Sequence, residues 1–307
     1  MKPFKLILII LAILAIAATA WFFVVKHRTS QQPQAAIGTL EFYDRFSVWL
    51  PDGYVLGDPC NILYMHDGQM LFDSTTTWNH QEWQVDEILG KLIADGTVPP
   101  TIVVAMDNSK RRLRDLLPGK ISAYMKAENP SVKVNAGYAL GDKYLKYLVE
   151  EVKPFIDSHY KPLTDREHTF IAGSSMGGLM SLYALCEYPS VFSGAACMSS
   201  HLSIGYLFRF TRDTDAAASA FRRYVSDNMP CKDSTRLYMD YGKAGYDAAY
   251  QPYQEAMDSL FVSRGWDSAH YKSLSFEGHD HNETCWANRL DVPLRFLLVD
   301  PHGHSSQ

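Results

Sequence analysis

The stretch TFIAGSSMGG, Thr169 to Gly178, constrains the fold of this chain more than any other. A short run of strand-forming residues meets the G-x-S-x-G pattern Gly173-Ser174-Ser175-Met176-Gly177, and helical spacing from Met176 to Tyr188 follows at once. A strand that turns directly into a helix around a serine brings backbone close to backbone, and glycine on both sides removes the Cβ atoms that would obstruct it. Such a turn lifts Ser175 out of the sheet. It also aims the first N–H groups of the helix, beginning with Met176, at the space beside the hydroxyl. A chance glycine–serine turn is the competing reading, and the strand–helix context weighs against it.

The other segments repeat the β-then-α order. Leu40 to Leu50 alternates as a strand and ends at Pro51-Asp52-Gly53, while Asn61–Met65, Thr101–Met106, Gly194–Met198, Arg236–Asp240 and Tyr271–Phe276 read as further strands. Helical spacing covers Trp83–Ala94, Ala139–Tyr160 with a kink or restart at Pro154, Tyr250–Arg264 and most of Glu283–Val299. The expected fold class is α/β, with a mostly parallel central sheet and helices on both faces. Ser199 to Ser234 fits neither period and is too long for an ordinary connection, which predicts a helical insertion near the site.

One segment stands apart. Leu6 to Val25 reads LILIILAILAIAATAWFFVV between Lys2, Lys5, Lys26 and Arg28, about enough apolar helix to cross a hydrocarbon core of ~30 Å. Ala18-Thr19-Ala20 suits signal-peptide cleavage, whereas the apolar Trp21–Val25 suits an uncleaved anchor, which we favour. The expected organisation is a signal-anchor or signal peptide over 1–28, a linker over 29–37 and one domain over 38–307. The protein is then exported, tethered to the inner membrane and facing the periplasm or cell exterior, or secreted if cut after Ala20. With that segment set aside, a net charge of −5 gives no basic excess and excludes nucleic acid as a partner. The five cysteines, Cys60, Cys186, Cys197, Cys231 and Cys285, show no C-x-x-C spacing. At most two pairs can form, and Cys186 and Cys197 read as buried thiols in apolar settings.

A serine hydroxyl needs a base, normally histidine, oriented by a carboxylate. In folds with this kind of turn the acid and then the histidine follow the serine in chain order. After the last strand comes EGHDHNE, Glu277 to Glu283, so His279 and His281 compete for the base. The same run is also open to a metal-binding reading, but no partner cluster elsewhere has ligand spacing. For the acid, Asp240 ends its strand and Asp247 lies in the following loop, and the residues alone leave the two level. Upstream, Gly68 and Gln69 after the strand ending at Met65-His66-Asp67 are candidates for a second oxyanion donor beside Met176. His66 reads as a structural hydrogen-bonding group, and Lys110 to Arg114 as a solvated or carboxylate-paired loop. Tyr206, Phe208 and Phe210 in the irregular stretch are candidate pocket aromatics, with local packing the plainer reading.

With these residues in view the chain resembles the esterase D, feruloyl esterase and siderophore esterase branch of the α/β-hydrolases. The resemblance runs from about residue 38 to 299 and rests on LYMHDGQMLFD (63–73), TIVVAMDNSKRRLRDLLPGK (101–120), EEVKPFIDSHY (150–160), the Ser175 segment and GHDHNETCW (278–286). It implies an α/β-hydrolase fold and a serine carboxylic-ester hydrolase. It selects His281, with Trp286 following, as the histidine and Asp247 in DYGKAGYDA as the acid. It implies no metal or organic cofactor, and a small-molecule or glycan-linked ester as substrate. Acyl transfer to a sugar or alcohol would use the same residues, and a catalytically inactive, membrane-tethered binding protein would be a third outcome on this fold.

Overall fold

Central strands of a sheet covered on both faces have no solvent side, and the sequences NILYMH, TIVVAM and TFIAGS are buried along their whole length. They are β3 (Asn61–His66), β4 (Thr101–Met106) and β5 (Thr169–Ser174) of an eight-stranded sheet in the computed structural model, which describes residues 34–204 and 210–299. The others are β1 (Thr39–Phe42), β2 (Phe46–Leu50), β6 (Gly194–Met198), β7 (Arg236–Gly242) and β8 (Tyr271–Phe276). Their spatial order is β1-β2-β4-β3-β5-β6-β7-β8. β3 to β8 run parallel, and β2 joins β4 antiparallel at one side.

Alternation along each strand divides the core into two layers. Ile62, Tyr64, Ile102, Val104 and Ile171 face a layer that includes Leu145, Ile156, Leu179 and Phe221. Leu63, Met65, Val103, Ala105 and Phe170 face the opposite layer, with Val85, Leu89, Trp286 and Leu294. Helices therefore cover both faces, as the β-then-α order predicts.

Three local expectations are refined. Leu40–Leu50 is two strands: the Tyr43 N–H donates to the Phe46 carbonyl at 2.9 Å and turns β1 back on β2. Ala139–Tyr160 is two helices, Gly141–Tyr147 and Lys153–Tyr160, joined by a π-turn at Leu148–Val152. That wider turn accommodates Pro154, which can donate no backbone hydrogen bond and crowds the preceding turn. Within the irregular stretch, helix Thr214–Asn228 packs Ala217, Phe221 and Tyr224 into the first layer, Leu202 and Ile204 join it, and Ser199 and His201 contact Asp247 and the Ser175 backbone.

Ala36 and Ile37, read as the end of a linker, are docked. Their N–H groups donate to Asp86 Oδ2 at 2.5 and 3.1 Å, and the Ile37 carbonyl accepts from Trp49 Nε1 at 2.7 Å. Among the described residues no helix is long and apolar enough to cross a membrane, and Leu6–Val25 lies outside them. All five cysteines are free thiols, with Cys186 and Cys197 buried.

Candidate active site

The carboxyl ends of parallel strands share one edge, and loops leaving that edge gather side chains from distant parts of the chain. Among the described residues seven non-glycine positions have positive φ. Asp67 (60°), Ser175 (55°) and Ser199 (41°) directly follow β3, β5 and β6 at this edge. Backbone held in this region is strained, and three such residues side by side mark a place where geometry outweighs local stability.

Ser175 has φ 55° and ψ −121° and begins helix Met176–Glu187. Its N–H donates to the Met198 carbonyl at 3.0 Å, and its own carbonyl accepts from Leu179 and His201 N–H groups at 3.1 and 3.0 Å. A Cβ on Gly173 would stand 2.8 Å from the Gly177 carbonyl carbon, so the close approach read from G-x-S-x-G is present. Because Met176 is the first helical residue, its N–H has no partner within the helix and borders the serine.

Asp247 and His281 meet although 34 residues apart in the chain: Asp247 Oδ1 lies 2.6 Å from His281 Nδ1. Asp247 is fully buried, and its Oδ2 accepts from the Ser199 hydroxyl and from the Gly242 N–H at 2.9 Å. Ser199 Oγ in turn accepts from Trp286 Nε1 at 3.0 Å and Arg289 Nη2 at 2.7 Å. Rings of Tyr246, Tyr250 and Trp286 stand edge-on to His281 at 5.1, 5.5 and 4.9 Å, which fixes the imidazole plane.

Asp240 is occupied elsewhere. Arg289 donates to both its oxygens at 3.1 Å, and the Tyr238 hydroxyl and Ser199 N–H supply further donors at 2.9 and 3.1 Å. Burial pushes the Asp240 carboxyl up, against the pull of Arg289. His279 Nδ1 faces the Cys285 carbonyl at 3.1 Å and Arg289 Nη1 at 3.2 Å. The structure therefore brings together Asp247 and His281 and leaves Asp240 and His279 around Arg289.

After β3, Gly68 packs where a Cβ would lie 2.8 Å from the Ala105 carbonyl, so only glycine fits. The Gln69 side chain exchanges two hydrogen bonds with the Asn108 backbone, at 2.9 and 3.0 Å, and both residues line the cleft. Asp67 is clamped by Asn108 and by both Nε and Nη2 of Arg112, the latter at 2.8 Å. Burial alone would raise the Asp67 carboxyl, but Arg112 and Asn108 outweigh it and hold it below the usual range. Arg112 is thus the one cation of Lys110–Arg114 drawn into the site. Arg111 pairs with Asp115, and Arg114 binds the Tyr138 and Gly137 carbonyls.

Ser175, His281, Gln69 and Arg112 open onto one cleft of about 840 Å³, with Trp78, Trp83 and Trp286 among its lining. Trp78 is 83% exposed, a free aromatic face at the rim. Of the three candidate pocket aromatics, Tyr206 and Phe208 lie outside the described residues, and Phe210 is buried.

Two buried histidines border the site and share a consequence. His66 Nδ1 lies 2.6 Å from the Tyr144 hydroxyl, the structural role read for it, and His201 Nδ1 lies 2.8 Å from the Tyr250 hydroxyl. Burial pulls both imidazoles down to about 4. An unfolded histidine titrates near 6.5, so between about pH 6.5 and 4 the unfolded chain binds protons that the native state refuses. Stability is complete above that window and falls with pH through it, by about 1.4 kcal/mol per pH unit for each histidine. Urea midpoints should drop clearly from pH 7 to pH 5; equal midpoints would show that these histidines do not stay neutral in the fold.

A mostly parallel eight-stranded sheet with a serine on a strand-to-helix turn at its carboxyl edge defines the chain as an α/β-hydrolase fold. Solved structures agree on the fold. A ferulic acid esterase superposes with TM-score 0.58 at 17% identity, covering 82% of this chain and 90% of that one. The BES protein from Bacillus cereus superposes with TM-score 0.62 at 15% identity, covering 88% and 98%. Residues 40–297 match the family described as "Putative esterase", and the chain belongs to that family. A siderophore enterobactin esterase of Emericella nidulans is 32% identical over 147 residues, 47% of each chain. The chain spans about half the length of the curated relatives it matches.

Proposed function

We propose that this protein is a serine carboxylic-ester hydrolase that works through an acyl-enzyme. The observation that carries the reading is the buried Asp247–His281 hydrogen bond on the same cleft as Ser175. Ser175 Oγ attacks the ester carbonyl while His281 Nε2 takes its proton, and Asp247 holds the imidazole with Nδ1–H inward. N–H groups of Met176 and the Gly68–Gln69 turn receive the oxyanion, a contribution of about 3–4 kcal/mol per donor in comparable sites. His281 then protonates the leaving alcohol and activates the water that releases the acid.

The exposed Trp78 face, with Gln69, Asn108 and Arg112 lining the same cleft, supports an ester carrying an aromatic or glycan-linked portion. Leu6–Val25 supports export with a membrane tether. The test is direct. The purified chain should hydrolyse p-nitrophenyl acetate and be labelled by a fluorophosphonate on Ser175, and labelling elsewhere or not at all would defeat the proposal. A panel of feruloyl, catecholate, acetylated-glycan and thioester substrates then ranks the acyl preference.

A further inference from the structure

Ser199 takes no part in the proton transfers, yet every hydrogen-bonding capacity of its hydroxyl is committed to the site. It is fully buried and follows β6 as Ser175 follows β5, with φ 41°. Its N–H donates to the Asp240 carbonyl at 2.9 Å and to Asp240 Oδ1 at 3.1 Å, which ties it to β7. A hydroxyl has one proton to give and two lone pairs to receive. Trp286 Nε1 at 3.0 Å and Arg289 Nη2 at 2.7 Å can only donate, so they occupy both lone pairs. The proton is left with a single acceptor, Asp247 Oδ2, and its direction is forced. Asp247 needs a fixed donor, because it opens the short turn Asp247–Tyr250 and a carboxylate rotates readily about its last bond. The Gly242 N–H holds the same oxygen at 2.9 Å. One such contact is a hinge, whereas two from the ends of different strands set the carboxylate plane.

We propose that Ser199 is a positioning residue for the reaction, whose hydroxyl pins Asp247 Oδ2 so that Oδ1 stays in line with His281 Nδ1. The inference rests on the serine–histidine–aspartate reading of the site. When Ser175 gives its proton to His281 Nε2, positive charge appears on the imidazole, and Asp247 Oδ1 has to meet that charge without moving. Ser199 keeps its own proton throughout. Arg289 is paired with Asp240 and stands 3.7 Å from Asp247 Oδ2, too far for a direct hydrogen bond, so the hydroxyl bridges the gap. Its N–H on Ser199 Oγ also polarises the O–H that Asp247 receives, which makes the serine a stronger donor than a lone hydroxyl.

Ser199→Ala removes the pin. With p-nitrophenyl acetate, kcat should fall about 10- to 100-fold while KM stays within about twofold, because a residue with no exposed surface makes no contact with substrate. Trp286 and Arg289 also lose an acceptor in this variant, which lowers its stability. Ser199→Gly separates that effect: glycine adopts φ 41° without strain, so this variant should show the same kinetic loss at a higher urea midpoint than the alanine variant. The deciding measurement is a double-mutant cycle with Asp247→Asn. A residue that acts through the Asp247 carboxylate has nothing left to position once that carboxylate is gone, so Ser199→Ala should then cost no more than about twofold further in kcat. An equal loss of about 10-fold or more in both backgrounds would make the role general to the fold and overturn the proposal. Wild-type kcat in Ser199→Ala and Ser199→Gly would overturn it as well. Full activity in Asp247→Asn defeats the serine–histidine–aspartate reading itself, whereas an impaired Asp247→Asn beside an unimpaired Ser199→Ala defeats only this inference.

Discussion

Ser175→Ala is expected to lower kcat/KM for p-nitrophenyl acetate by about 10⁴- to 10⁶-fold while leaving the fold intact. The hydroxyl is the only group removed, and it takes no part in the backbone hydrogen bonds at this position, the N–H to Met198 and the carbonyl to Leu179 and His201. Alanine keeps every one of them. The stability change should stay within about 1 kcal/mol, read as a urea midpoint close to wild type. Ser175→Gly sharpens the test. At φ 55° and ψ −121° a side chain is strained and glycine is not, so this variant should be equally inactive yet more stable by about 1 kcal/mol. A site that gains stability when its reactive group is deleted is holding strain for function. Activity retained in either variant would remove Ser175 from the mechanism.

That serine was legible because its signal is local. Ten contiguous residues state a strand, a turn that needs glycine, and a helix start, and no distant residue can alter the reading. The sheet was legible for a related reason, since strands covered on both faces are apolar throughout. Local signals fail where a partner comes from far along the chain. Asp240 and Asp247 look alike in sequence, and what separates them is Arg289, 49 residues beyond Asp240, which takes Asp240 into a buried pair. Ser199 and His201 were absorbed into an irregular stretch, although their place after β6 matches that of Ser175 after β5. The rule that site groups follow parallel strands would have found them. Tyr250 reads as the opening of a helix, and only the 3₁₀ turn ahead of that helix swings it towards His281 and His201. The β1–β2 turn at Asp44-Arg45 carries no glycine or proline, so the alternation ran through it unbroken.

The two acids should fail in opposite ways when neutralised. In Asp247→Asn, the position of Oδ2 must still accept from Ser199 Oγ and the Gly242 N–H, so the amide oxygen is forced to that side. Its NH₂ then faces His281 Nδ1 and donates to it. An imidazole that accepts at Nδ1 carries its proton on Nε2, the atom that has to receive the serine proton, and the base is locked in the wrong tautomer. We expect kcat/KM to fall by about 10³- to 10⁴-fold with the urea midpoint little changed. Asp240→Asn leaves the donor network around Ser199 and Tyr238 but strips Arg289, 1% exposed, of its bidentate counter-ion. Breaking a buried pair from one side costs about 3–5 kcal/mol. The lower end applies here because Asp247 Oδ2 remains 3.7 Å from the same guanidinium. That variant should unfold at much lower urea while its folded fraction turns over at nearly the wild-type rate. Measuring both quantities on both variants decides the assignment: a large kinetic loss in Asp240→Asn with none in Asp247→Asn would exchange the roles given to the two carboxylates.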